Sequence, residues 1–272
     1  AGANVYLGTW APIYKIFTTA WNAGKFDASR KCSDGSLFSY KKVYPMDALF
    51  DSMENVPEHI KTNKRYQNVE NYAIKELSDV FFKEEKHLDI LVHSLSNAPE
   101  ENKPLLETSR NGYLAAMSSS AYSFVSLVQH FGPKMKKGSS FLSLSYIAAN
   151  KAIPKYGGGM SSAKAALESD VKTLSYEAGK KWGHRINCIS AGPLRSRAAR
   201  AIGDTMIDEM IVYSKANAPL DKDLFAEEVA STATFLLSPL ASAITGETLY
   251  VDNGLHAMGI AQDSQSLQKA SF

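Results

Sequence analysis

Six short apolar runs punctuate the chain: NVYLG at 4–8, KKVYP at 41–45, LDILVHS at 88–94, SSFLSLSY at 139–146, HRINCIS at 184–190 and ETLYVD at 247–252. Most are rich in Val, Ile, Leu and Tyr and end in turn-forming or small polar residues, the pattern of strands buried in a parallel sheet. Between them, apolar positions recur at helical spacing over about 12–23, 70–85, 109–131, 158–181, 204–216 and 226–237. Strand, helix, strand at this spacing predicts an α/β fold, a Rossmann-like doubly wound parallel sheet with helices on both faces. Residues 24–40 and 51–69 carry Gly, Asp, Ser, Asn and Pro and read as polar surface connections. No repeat, low-complexity tract or linker breaks the pattern, so residues 1–272 are expected to form a single domain.

Composition narrows the picture. With 272 residues, 44% hydrophobic and 21% charged, the chain can bury a full core. A net charge of +2 gives no case for nucleic acid or an anionic membrane surface. No apolar run approaches the roughly 20 residues that span a bilayer. Cys32 and Cys188 lie far apart without companion ligands and read as reduced structural thiols. The six histidines show no metal-ligand spacing, and His59, His87, His184 and His256 read as surface or packing residues, so no metal is expected. The chain opens on Ala1-Gly2-Ala3 and enters a strand-like run almost at once, as a piece cut from a longer beginning would.

In doubly wound sheets, ligands gather at the carboxyl ends of the strands. Those ends carry Trp10, then Asp47-Ala48, then Ser94-Leu95-Ser96-Asn97, then Tyr146 and Tyr156, then Ala191-Gly192-Pro193-Leu194. Each has a plain structural alternative. Trp10 reads as a core aromatic or an adenine platform, and Asp47 as a turn residue or an adenine contact. Ala191-Gly192-Pro193 reads as a turn or a nicotinamide rest, and Gly157-Gly158-Gly159 as a flexible loop with Ser161 or Ser162 capping the helix behind it. Tyr156 and Lys164 can act as a pair: a phenol donates to a developing oxyanion, and an ammonium nearby lowers the phenol's pKa and holds a sugar hydroxyl. With 13 tyrosines in the chain the pair by itself decides nothing.

Longer strings decide more. GTW at 8–10, LVHSLSN at 91–97, KPLLETSRNGYLAA at 103–116, YGGGMSSAKAALESD at 156–170, ISAGPLRSRAARAIG at 189–203 and ASAITGETLYVDNGLHAMG at 241–259 closely resemble the plastid-type enoyl-acyl-carrier-protein reductases of type II fatty-acid synthesis. These belong to the short-chain dehydrogenase/reductase superfamily. The resemblance covers nearly the whole chain. Ordinary short-chain reductases place Lys four residues after the catalytic Tyr; here Tyr156 and Lys164 are eight apart, as in the plastid-type enzymes.

The resemblance implies NADH-dependent reduction of a trans-2-enoyl thioester carried on acyl carrier protein. Hydride goes to C3, and Tyr156 donates to the thioester oxygen. Lys164 binds the nicotinamide ribose, and Tyr146 lines the acyl pocket. Asn97, Met160, Ala198, Ala199 and Ile202 form the rest of that pocket, where triclosan binds in the family. Trp10, Asp47 and Ala48 meet the adenine end; Ser94, Leu95 and Ser96 follow the ribose and pyrophosphate; Ala191, Gly192, Pro193, Leu194 and Ser196 frame the nicotinamide. Ser96 stands where the family usually has Ala and is expected to weaken triclosan. A homotetramer in a plastid (chloroplast or apicoplast) is implied, with no nucleic acid or membrane partner. A 3-ketoacyl-type reductase and a non-catalytic NAD-binding homologue are the competing readings. The family also carries a strand, a Gly-rich turn and a helix ahead of residue 1, that strand lying between those at 4–8 and 88–94. Made without them, this chain is expected to be unstable or to bind NADH poorly.

Overall fold

The computed structural model describes residues 2–32, 34–195 and 204–264. Contacts divide the chain into two units, one running to His87 and including Gln129–Lys134, the other formed by Leu88–Val128 and the chain from Met135 onward.

In the first unit β1 (Tyr6–Trp10) pairs parallel with β2 (Lys42–Met46), in register from Tyr6 opposite Lys42 to Trp10 opposite Met46. Between them α1 (Tyr14–Asn22) leads into a connection that is less polar than its composition suggests. Trp21, Phe26, Phe38 and Tyr40 gather into an aromatic cluster, and the Arg30 guanidinium sits 4.6 Å from the Trp21 ring. The second connection, holding the short α2 (Glu58–Lys61), likewise buries Val56 and Tyr66 against Ala11 and Tyr72. Both stretches were expected as polar surface loops. A few apolar side chains spaced among Gly, Ser and Asn suffice to fold them back, because burying each contributes about 1.5–3 kcal/mol. Then α3 (Ile74–Glu84) lays Leu77 and Phe81 inward, and Phe81 meets Tyr6 edge-on at 5.1 Å.

In the second unit β3 (Ile90–His93), β4 (Ser140–Ser145), β5 (Arg185–Ala191) and β6 (Thr248–Val251) form a parallel sheet in that order. Between β3 and β4, α4 (Arg110–Met117) passes through a single π-helical turn, Ser118–Tyr122, into α5 (Ser123–Phe131). The long α6 (Met160–Trp182) links β4 to β5. After β5 come α7 (Asp204–Asn217) and α8 (Ala226–Leu237). Side chains alternate across a strand. On one face Leu142 and Ile189 pack against Leu236 of α8. On the other, Ser145 is bonded to Glu168 of α6. Helices therefore cover both faces, as the strand–helix alternation predicts. Among the described residues β1 pairs only with β2, and β3 only with β4.

Candidate active site at the end of strand β4

The second unit brings Tyr146, Tyr156, Met160 and Lys164 to one corner. Tyr146 is the first residue past β4, in extended conformation, and the Tyr156 ring meets it at 5.1 Å with the planes tilted by 57°. Tyr156 packs on buried Ala98, Ala116 and Met160. Neither tyrosine hydroxyl has a hydrogen-bond partner among the described residues.

Tyr156 lies ahead of α6, separated from it by the three glycines. That run is no slack loop. A Cβ on Gly157 would stand 2.0 Å from the Lys103 carbonyl oxygen, and one on Gly158 2.6 Å from the Glu100 carbonyl carbon. Gly158 and Gly159 also hold φ of +62° and +83°, where other residues are strained. Gly157 and Gly158 press against the backbone of 100–103 and Gly159 against Tyr113, and so fix Tyr156. Gly159 is itself the N-cap of α6; neither Ser161 nor Ser162 caps it, and the Ser161 hydroxyl turns back to the Tyr156 carbonyl at 3.4 Å.

Lys164, in the second turn of α6, is 6% exposed, and its Nζ donates to the Leu144 carbonyl at 2.8 Å. Burial pulls its pKa down, while the neighbouring Cys188 and Glu168 push it up. Both phenols move the other way: burial raises Tyr146 and Tyr156, the second further by the charge of Glu101. The expected lowering of the Tyr156 pKa by Lys164 is thus not what this environment produces. The phenol stays protonated at any physiological pH.

The other expected contacts fall at strand ends as well. In the first unit the Trp10 indole N–H donates to Asp47 Oδ2 at 3.2 Å, and the residue is 45% exposed. The Tyr66 hydroxyl donates to the same oxygen, and Asp47 Oδ1 accepts from the Leu49 amide at 3.1 Å. Asp47 is therefore first a turn and packing residue, with Ala48 beside it half-buried. In the second unit Ser94, Ser96 and Asn97 are exposed and Leu95 half-buried. The Asn97 backbone is anchored by the π-helical turn: its carbonyl accepts from Ser119 and Ser120 hydroxyls at 2.5 and 3.0 Å, and its amide donates to Ser120 at 2.9 Å. Ala191, the last residue of β5, is half-buried; past it Gly192 and Pro193 are buried and Leu194 half-buried. Ser196, Ala198, Ala199 and Ile202 lie outside the described residues.

Two residues to which the sequence reading assigns no role stand out. His93 is buried between the Ser143 and Ser123 hydroxyls at 2.7 and 2.8 Å, and burial lowers its pKa to about 3. Glu168, buried one turn beyond Lys164, accepts from Ser145 and Asn150 at 2.6 and 2.9 Å. Its four-residue spacing from Lys164 was the available signal.

The corner suits a dinucleotide's nicotinamide half. Lys164 keeps N–H donors beyond the one given to Leu144, and the buried Ser190 hydroxyl at the end of β5 has no partner. Small residues around Gly192 leave the backbone approachable. Among the described residues no group of His, Cys, Asp and Glu could hold a metal ion, and no helix is long and apolar enough to cross a membrane.

The enoyl-(acyl carrier protein) reductase family model matches residues 47–256. This chain belongs to the enoyl-acyl-carrier-protein reductase family. It is 60% identical over 267 residues to the chloroplastic NADH enoyl-acyl-carrier-protein reductase 1 of Oryza sativa subsp. japonica, covering 98% of this chain and 71% of that protein. It is also 60% identical over 264 residues to the chloroplastic NADH enzyme of Arabidopsis thaliana, covering 97% and 67%. Among solved structures, the Plasmodium berghei reductase with triclosan superposes with a TM-score of 0.93 at 48% identity, over 96% of this chain and 91% of that one. The Anaplasma phagocytophilum reductase with NAD does so at 0.76 and 28% identity, over 97% and 85%.

Proposed function

We propose that Tyr156, Tyr146 and Lys164 form the reacting corner of this family member. The chain is an NADH-dependent enoyl-acyl-carrier-protein reductase of fatty-acid synthesis, and its substrate arrives on acyl carrier protein. Likeness to the chloroplastic relatives places it in a plastid. The observation that carries the site assignment is the pairing of two unpartnered phenols at 5.1 Å with a buried lysine at the same strand end.

The cofactor, when bound, supplies the hydride. Tyr156 then meets the charge that develops on the thioester oxygen. Its raised pKa keeps it a neutral donor, and a preorganised donor in a water-poor corner is worth about 2.7–4 kcal/mol in turnover. The Tyr146 ring limits the directions Tyr156 can take and lines the acyl site with Met160. Lys164 directs its free N–H groups at the ribose hydroxyls. From the family strings, Trp10, Asp47 and Ala48 are assigned to the adenine end, Ser94 to Ser96 to the ribose and pyrophosphate, and Ala191 to Leu194 to the nicotinamide. Ser196, Ala198, Ala199 and Ile202 are assigned to cofactor and acyl pocket from the family strings alone. Residues 1–272 act as one cofactor-binding domain, and the protein works as a homotetramer without nucleic acid or membrane.

The test is NADH oxidation with a crotonyl thioester by native-length protein beside Tyr156→Phe. The expected result is rapid oxidation that falls about 10²–10³-fold in the variant. A folded, NADH-bound wild type that oxidises nothing would remove the assignment.

A further inference from the structure

Lys164 and Glu168 stand one turn apart on α6, both buried, and they grip consecutive residues at the end of β4. Lys164 donates to the Leu144 carbonyl, and Glu168 accepts from the Ser145 hydroxyl. The second Glu168 oxygen holds the Asn150 amide, which also reaches the Tyr250 hydroxyl on β6 at 3.2 Å. The Tyr250 ring stacks on His256 at 4.1 Å, and His256 Nδ1 lies 2.8 Å from Asp252.

Besides Glu168, the titratable groups around the pair include His93, Cys188, Tyr146, Tyr250, Asp252 and His256. His93 on β3 is neutral, since burial and the Lys164 charge hold its pKa near 3. Cys188 on β5, its own thiol pushed up to about 12 by burial, is the other group that favours the Lys164 ammonium. Tyr250 on β6 and Tyr146 after β4 are raised phenols. Asp252 spends its oxygens on the Gly254 and His256 amides and the His256 ring. The buried residues of α4 and the π-helical turn, which also pack on α6, are Gly112, Ala116, Ser119, Ser120 and Ala121, none titratable. A buried ammonium is disfavoured by desolvation and sustained by an opposite charge nearby.

We propose that Glu168 is the positioning residue and counter-charge of Lys164, keeping the lysine a cation at the dry end of β4 so that it meets the cofactor ribose as an ammonium. The ribose clause rests on the role given to Lys164 above; the counter-charge does not. The Ser145 and Asn150 bonds fix the place of the Glu168 carboxyl before any ligand arrives.

The experiment is an NMR titration of native-length protein without cofactor, carrying 13Cε-lysine, with the Lys164 signal assigned through Lys164→Arg. Glu168→Gln is expected to lower the Lys164 pKa by about one unit or more, and Glu168→Asp to restore part of the difference. Unchanged Lys164 titration in folded Glu168→Gln overturns the proposal. If that variant does not fold, the wild-type titration decides: a Lys164 that has lost its charge by pH 7 overturns the proposal equally. NADH fluorescence titration across pH separates the two readings. Affinity that falls at lower pH in Glu168→Gln than in wild type supports both. A shifted lysine with unmoved NADH affinity keeps the counter-charge and removes the ribose contact.

Discussion

Two buried charges, each at a strand end, are handled in opposite ways. Asp47, past β2, is 2% exposed and surrounded by donors: the Trp10 indole, the Tyr66 hydroxyl and the Leu49 amide. Lys164, beside the end of β4, is 6% exposed and gives one hydrogen bond, to a carbonyl. The first charge is satisfied by the fold. The second keeps donor capacity that the fold does not use, with an opposite charge one turn away. A satisfied buried charge reports on stability; an unsatisfied one reports on a ligand.

That contrast can be broken experimentally. Lys164→Ala is expected to reduce kcat/KM for NADH about 10²-fold or more while far-UV circular dichroism stays native; activity within threefold of wild type would erase the distinction. Asp47→Ala should act the other way. It orphans the indole, hydroxyl and amide donors and is expected to lower stability by about 2–3 kcal/mol in denaturant unfolding, with Asp47→Asn in between.

His93 sharpens the comparison with a buried group kept neutral. Its folded pKa, near 3, lies below its ordinary 6.5, so the unfolded chain binds the extra proton first. Its contribution is complete above about pH 6.5 and is lost as pH falls toward 3, at about 1.4 kcal/mol per pH unit in that window. Stability curves at pH 7 and 5.5 should differ by about that amount, and the difference should shrink in His93→Gln. The smallest effect belongs to Asp79, whose carboxyl is held below its usual range by Lys134 and Lys75. All three are largely exposed, so Asp79→Asn is expected to change stability by less than about 1 kcal/mol, and less still in high salt.

The sequence alone determined the alternation of strands and helices, because strand and helix periods are written in local apolar spacing. The helix expected over 158–181 is Met160–Trp182, and the strand expected at 184–190 is Arg185–Ala191. The family was equally legible, carried by long specific strings around Tyr156 and Lys164. What those residues experience was not. The three glycines allowed a flexible loop; the close backbone at 100–103, some fifty residues away, and the positive φ of Gly158 and Gly159 are what require them. The Tyr156 pKa rises rather than falls, because burial outweighs any lysine nearby. Nothing local marks Glu168 as buried; Ser145 and Asn150 close on it only in the fold. Burial and partnership are properties of residues distant along the chain brought together, so the tertiary structure alone decided which charges are satisfied and which remain available to a ligand.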